Sequence, residues 1–200
     1  MRFFNPLRKT ALACAALFAL GMLGACTTPQ APQFPELTFT HLPKISLGVA
    51  RIEIVDAFTP PADPKHVENH MPVTPEHALR NWARDRLQAN GVSGVAKFII
   101  RDAAVTETEL KRSKGLTGVF TTEQSHRYDA AVNVEVRLEG VPRVTEAYAQ
   151  AGINRSRTVP EDASINVREE AWFSLTEEVM KDFDPQMSAS IRKHLADFVR

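Results

Sequence analysis

Asp129-Ala130-Ala131-Val132-Asn133-Val134-Glu135-Val136-Arg137-Leu138-Glu139 is the stretch whose reading decides the fold. Ala130, Val132, Val134, Val136 and Leu138 fall on one parity, and Asp129, Asn133, Glu135, Arg137 and Glu139 on the other. A strand repeats every two residues, so this segment offers one face to a core and the other to water, as a half-buried antiparallel strand does. Val141-Pro142 turns the chain into residues 144–153, where Ala147, Ala149, Ala151 and Ile153 share a face. Side chains that small let a helix lie close to the sheet.

Working outward, residues 95–110 read as a strand, Lys111-Arg112-Ser113-Lys114-Gly115 as a turn, and residues 116–124 as a further strand. Residues 44–55 (KISLGVARIEIV) are rich in β-branched side chains and form the first strand. Their alternation slips near Arg51: Leu47 and Val49 share one parity, Ile52 and Ile54 the other. That slip means either burial on both faces or a bulge. Residues 58–75 carry five prolines and no period, and read as a long loop. Thr74-Pro75 forms an N-cap and first helical residue. Ala78, Leu79, Trp82, Ala83 and Leu87 then recur at helical spacing until Asn90-Gly91. A second helix is expected over about residues 164–181, with Ile165, Trp172, Leu175 and Val179 on its stripe, and Asp184-Pro185 begins a third, with Met187, Ile191, Leu195 and Phe198 buried. The order is β-α-β-β-β-β-α-α. It predicts an α+β fold, an antiparallel sheet of four to five strands with helices packed on one face. No internal repeat occurs.

The amino-terminal end has a different character. Arg2, Arg8 and Lys9 precede an apolar run, residues 11–20, that is too short to span a bilayer, and Leu23-Gly24-Ala25-Cys26 follows. This run resembles the bacterial lipoprotein signal with its lipobox. The resemblance implies a diacylglyceryl group on the Cys26 thiol, cleavage before Cys26, and often acylation (palmitate-type chains) of the new amine. Each buried methylene contributes about 0.8 kcal/mol, so two or three chains anchor a protein durably. Thr27, in place of an aspartate, resembles lipoproteins sorted to the outer membrane. Thr27-Thr28-Pro29-Gln30-Ala31-Pro32-Gln33-Phe34-Pro35 has three prolines and no charge, and reads as an extended tether. The expected organisation is a signal peptide over residues 1–25, a lipidated cysteine and flexible tether over 26–43, and one periplasmic domain over 44–200.

Removing residues 1–25 takes away Arg2, Arg8 and Lys9 and no acid, which leaves 21 Lys+Arg against 24 Asp+Glu, a formal charge of −3. Nucleic acid, which selects a basic surface, is a poor partner for such a chain. The only cysteines are Cys14 and Cys26. With Cys14 in the signal and Cys26 acylated, the mature chain has no intramolecular disulfide, thiol nucleophile or thiolate metal site. A domain of about 150 residues buries roughly 70% of its unfolded surface, enough for a core without staples.

The lipobox, the first strand with Leu47-Gly48-Val49, the tryptophan-bearing first helix and the amphipathic C-terminal helix together resemble the auxiliary lipoproteins of bacterial ABC-type and lipid-transport systems. That resemblance implies an accessory subunit that binds another envelope protein.

Several constellations carry potential chemistry. His66-Val67-Glu68-Asn69-His70, with Glu76-His77, is the densest set of metal-ligand types, but Pro64, Pro72 and Pro75 break any helix that would aim His66, His70 and His77 together. The alternative is a polar surface loop. Glu107 and Glu109 lie two apart on a strand and face the same way, as paired catalytic carboxylates or as a solvated strand face. Lys111, Arg112 and Lys114, beside Leu116 and Phe120, can touch an acidic partner or anionic head groups, or can simply protect a hairpin from aggregation. Trp82 and Trp172 lie on apolar stripes and read as core. No nucleophile elbow, phosphate loop or dinucleotide glycine pattern is present, so no cofactor is expected. The resulting expectation is a non-enzymatic, membrane-anchored binding subunit, lipid-anchored through Cys26 and facing the periplasm, with Lys111, Arg112, Lys114 and Phe120 at the partner surface. Two alternatives compete with it. One is a carrier of lipid, with the Ala147, Ala149 and Ala151 face lining a groove. The other is a metal-dependent hydrolase built on His66, His70 and His77.

Overall fold

A computed structural model describes residues 33–110, 124–142 and 146–200. The elements are β1 (Ile45–Leu47), β2 (Arg51–Asp56), α1 (Pro75–Arg86), β3 (Leu87–Ala89), β4 (Val95–Glu109), β5 (Gln124–Glu139), β6 (Ala147–Pro160) and α2 (Ile165–His194), with short 3-10 turns at Glu68–His70 and Ala196–Phe198. The class is α+β as expected, with helices on one face of the sheet. The main sheet has the order β2-β4-β5-β6, and a second sheet pairs β1 with β3.

The sheet is mixed, which corrects the antiparallel expectation. β4, β5 and β6 are antiparallel neighbours, but β2 pairs with β4 in parallel, and so does β1 with β3. The cause lies in the connections. α1 intervenes between β2 and β4, and a strand that returns after a helical crossover comes back parallel. The slip near Arg51 is neither a bulge nor double burial: residues 44–55 divide at Gly48-Val49-Ala50 into β1 and β2, which serve different sheets. Leu47 and Val49 are buried below one parity, while Ile52 and Ile54 pack on the core from the other.

α1 starts where its cap predicts. The Thr74 hydroxyl accepts from the His77 N–H at 3.1 Å, and Pro75 occupies the first turn. It stops at Arg86, earlier than the apolar stripe suggested, because Leu87 leaves the helix to pair with Ile45. Asn90-Gly91 is therefore no helix cap. The Asn90 and Gly91 N–H groups donate to Leu47 and Val49 carbonyls, and a Cβ at Gly91 would lie 2.4 Å from the Gly48 carbonyl carbon. Only glycine fits that approach.

One helix replaces the two expected at the C-terminal end. Ser164 caps it, its hydroxyl 3.4 Å from the Val167 N–H, and it runs on to His194 through Pro185. Proline removes one backbone donor and crowds the carbonyl four residues earlier. Here both Pro185 and Lys181 are exposed, so the orphaned carbonyl faces water. Met187, Ile191 and Leu195 are fully buried, Phe198 half-buried, and Ile165 is 62% exposed, off the stripe where the spacing placed it.

The core lies between the helices and the sheet. Trp82, Phe98 and Phe183 form its centre, with ring centroids 5.1 Å apart for Trp82–Phe183 and 5.7 Å for Trp82–Phe98. A buried polar staple joins the helices beside it. Asp184 Oδ1 accepts from both Trp82 Nε1 and Arg86 Nε at 2.8 Å, and Arg86 Nη2 donates to Ser188 Oγ at 3.0 Å. Ala149 and Ala151 are buried, so this alanine face packs into the core and lines no open groove.

Two segments expected to be loose are packed. Residues 34–42 lie against the helices: Phe39 is buried and its N–H donates to Asp85 Oδ2 at 2.7 Å, Asn81 Nδ2 donates to the Leu37 carbonyl at 3.1 Å, and the Phe34 and Phe173 rings lie 5.2 Å apart. The flexible tether expected over 26–43 does not extend through them, and the packed part of the chain begins upstream of Lys44. Within residues 58–75, Val67, Met71 and Val73 are buried. The Val67 N–H donates to the Val105 carbonyl at 3.0 Å and the Glu107 N–H to the Lys65 carbonyl at 2.8 Å, so this segment continues the sheet beside β4 where β2 has ended. The turn at 111–115 and most of the strand expected over 116–124 fall outside the described residues; Gln124 opens β5.

Candidate functional site

A single irregularity in β4 builds the site. The register with β5 shifts between Ile100 and Asp102, a bulge that leaves Arg101 unpaired. Before it Ala96, Phe98 and Ile100 face the core; after it Ala103 and Val105 do. The flip turns Glu107 toward the helix side, opposite Tyr128 on β5. Without the extra residue, the alternation of β4 would aim Glu107 at the open face.

Glu107 Oε1 then gathers three partners. Tyr128 Oη donates to it at 3.1 Å, Arg168 Nη1 from the first turns of α2 lies at 3.2 Å, and His126 Nδ1 forms an ion-pair contact at 2.9 Å. Arg168 Nη1 also reaches the Tyr128 oxygen at 3.2 Å. Tyr128 is fully buried and packs edge-on against Trp172, with centroids 5.4 Å apart. Burial raises its pKa above the usual phenol value, the Glu107 charge raises it further, and the Arg168 charge opposes both. Tyr128 therefore stays protonated and acts as a donor. Beside the cluster opens a cleft of about 360 Å³ lined by Pro64, Lys65, Glu107, Thr108, Glu109 and His126. Glu107 and Glu109 do line one cleft, but in unequal states: Glu107 is tied to three partners and Glu109 is exposed.

The histidines of the 66–77 segment are dispersed. His66 Nδ1 lies 3.0 Å from Glu68 Oε1, which also accepts the Val105 N–H at 2.7 Å. Glu68 is thus a buried brace between the loop and β4. His70 is exposed, and His77 Nε2 is 3.7 Å from Glu36 Oε1. Among the described residues no group of three or more His, Cys, Asp or Glu is placed to hold a metal ion, so the structure does not assemble the His66, His70 and His77 centre. Cys26, Lys111, Arg112, Lys114 and Phe120 lie outside the described residues.

A second concavity of about 430 Å³ runs between residues 37–42 and α2. Leu37, Phe39, Leu42 and Met180 give it apolar walls, and His41, Glu177, Lys181 and Asp184 its polar ones. Sequence reasoning missed this groove because it took residues 26–43 as one tether. The signal that could have found it is the spacing of Leu37, Phe39 and Leu42, which follows the last of the clustered prolines.

The chain matches no protein-family model and no curated protein. Among solved structures it is similar to the rare lipoprotein B of Shewanella oneidensis, at 12% identity and a TM-score of 0.35, over 70% of this chain and 92% of that one. It is also similar to a PelC dodecamer subunit from Paraburkholderia phytofirmans, at 12% identity and a TM-score of 0.21, over 76% of this chain and 90% of the other. Superposition at these scores transfers neither fold nor function.

Proposed function

We propose that this chain is a lipoprotein of the bacterial envelope, anchored through acyl chains on Cys26, facing the periplasm, whose domain binds another envelope protein without catalysing a reaction. The observation that carries the proposal is the run Leu23-Gly24-Ala25-Cys26 at the end of a basic-then-apolar leader. Among the described helices none is long and apolar enough to cross a membrane, so no described helix competes with the acyl chains as the anchor. Thr27 favours the outer membrane as the destination.

The binding role draws support from how the described charges are arranged. At the sheet end, Tyr128, Arg168 and His126 all converge on one oxygen of Glu107, and His66 on Glu68. A general base needs a carboxylate or imidazole with a free lone pair aimed at substrate. Glu107 Oε1 is instead engaged by three groups at once, which suits a structural brace. Contact with a partner, an accessory role in a transport system included, is assigned to Lys111, Arg112, Lys114 and Phe120, on the connection that leaves this same end of β4 and β5.

The experiment has two arms. Cys26→Ser should abolish detergent-phase partitioning and remove the acyl mass from the mature protein; a wild-type protein that carries no lipid overturns the anchor. Crosslinking in intact membranes, repeated with Lys111, Arg112 and Lys114 changed to Ser, should lose a defined partner; an unchanged crosslink pattern overturns the assignment of that surface. The lipid-carrier reading has its own specific observation, the apolar groove of about 430 Å³ beside Met180. Co-purified lipid that disappears in Met180→Arg would favour it.

A further inference from the structure

The groove between residues 37–42 and α2 is apolar below and charged at its rim. Glu177, Met180, Lys181 and Asp184 form its α2 wall. They follow the spacing of one helix face over two turns, about 11 Å. Phe39 and Met180 are buried, and Leu37 and Leu42 are partly buried. The unbranched thioether of Met180 adapts to a flexible guest. The facing wall has little backbone to offer. The Phe39 N–H donates to Asp85 Oδ2 at 2.7 Å, the Phe39 carbonyl accepts the Leu42 N–H at 3.0 Å, and the Leu37 carbonyl accepts Asn81 Nδ2 at 3.1 Å. An added peptide strand draws its affinity from main-chain partners, and these are taken. An acyl chain needs none.

The rim charges narrow the guest further. Most charges on this stretch of α2 are paired: Asp184 with Arg86 at 2.8 Å, Glu178 with Arg157 at 2.7 Å, and Asp182 with Arg155. Glu177 and Lys181 are both exposed at the groove, and among the described residues no ion pair holds either of them. They stand four apart, the spacing at which Glu76 and Arg80 of α1 form a 2.7 Å pair. One negative and one positive charge thus stand a helical turn apart at the mouth of an apolar trough.

We infer that the groove takes an acyl chain of a zwitterionic phospholipid, with its phosphate at Lys181 and its amine at Glu177. This rests on the lipid-carrier reading of the groove and adds the class of lipid. A fatty acid or an anionic phospholipid would answer Lys181 but bring a like charge to the Glu177 carboxylate. A zwitterionic head group answers both charges.

The test uses the full chain in vesicles of mixed phosphatidylethanolamine and phosphatidylglycerol. The vesicles carry a trace of one of two probes with the same photoactivatable acyl chain. One probe has the phosphatidylethanolamine head group and the other the phosphatidylglycerol head group. Mass spectrometry of the labelled peptides should place the label on residues 37–42 and Met180, several-fold more from the phosphatidylethanolamine probe. Glu177→Gln should remove that preference, and Lys181→Gln should lower labelling by both probes. Both side chains are exposed, so neither change threatens the fold. No label at the groove from either probe would overturn the lipid reading and the inference with it. Equal labelling by the two probes, unmoved by Glu177→Gln, would keep a lipid groove and overturn the head-group assignment alone.

Discussion

The two edges of the main sheet are handled in opposite ways. Along β4, β2 covers residues 95–100, and where it stops the segment carrying His66, Val67 and Glu68 takes over, with backbone bonds to Val105 and Glu107 and the Glu68 carboxylate on the Val105 N–H. Along β6, a single serine hydroxyl reaches one N–H and the described remainder stays open. A buried backbone donor must be satisfied, whereas an exposed one has water or a partner. The difference teaches that the proline-rich segment 58–75 is part of the core, whereas β6 meets only side chains of α2 on its outer side among the described residues.

The sharpest break in that comparison comes from the buried side of the covering segment. Met71→Ala should cost about 2–5 kcal/mol, read as a fall in the urea midpoint at unchanged slope. A midpoint that does not move would return residues 58–75 to the status of a loop. Next comes the brace itself. Glu68→Ala leaves the Val105 N–H buried without an acceptor, and about 1–3 kcal/mol should be lost, with Glu68→Gln recovering part of it. Equal losses in the two variants would show that the hydrogen bond contributes little.

A smaller effect is set by pH. The folded pKa of Tyr128 is raised above the ordinary phenol value, so the folded state holds the phenolic proton more tightly than the unfolded chain does. The stability linked to Tyr128 is complete below that unfolded value and declines as pH climbs through the folded pKa. Tyr128→Phe should flatten this alkaline decline in a melting series, at a cost near neutral pH of about 0.5–1.5 kcal/mol for the lost hydrogen bond. An identical alkaline slope in both proteins would assign the decline elsewhere. The smallest change belongs to the open edge: Ser156 and Gly152 flank Asn154 on an exposed row, and Asn154→Lys should alter unfolding by less than about 0.5 kcal/mol. A large loss there would mean that the edge is covered.

Much of the architecture was legible because it depends on local periods. The alternation of residues 129–139, the Thr74-Pro75 and Ser164 helix starts, and the burial of Trp82, Trp172, Met187, Ile191 and Leu195 are properties of single segments. The features that escaped are relations between segments. Strand direction follows from what lies between two strands, and the crossover through α1 was present in the order but its parallel consequence was not drawn. Asp184-Pro185 has the pattern of a new helix start, whereas at an exposed position a single helix runs through it. The cluster at Glu107 needed the bulge at Arg101, visible only as a parity change between Ile100 and Ala103, and it needed Arg168 from some 60 residues away. The pairing of Glu107 with Glu109 on one face was visible, but the neutralisation of Glu107 was not.

The small parallel sheet holds a final consequence. Its first strand is stitched to the last residues of the chain: Gly48 N–H to the Phe198 carbonyl at 2.7 Å and Arg200 N–H to the Ser46 carbonyl at 2.9 Å. These partners are separated by about 150 residues, and such distant closures form late. A chain threaded through a secretion channel from its amino end would present Ser46 long before Phe198 emerges. Its first strand would meet β3 early and gain its second row of backbone partners only when residues 198–200 follow.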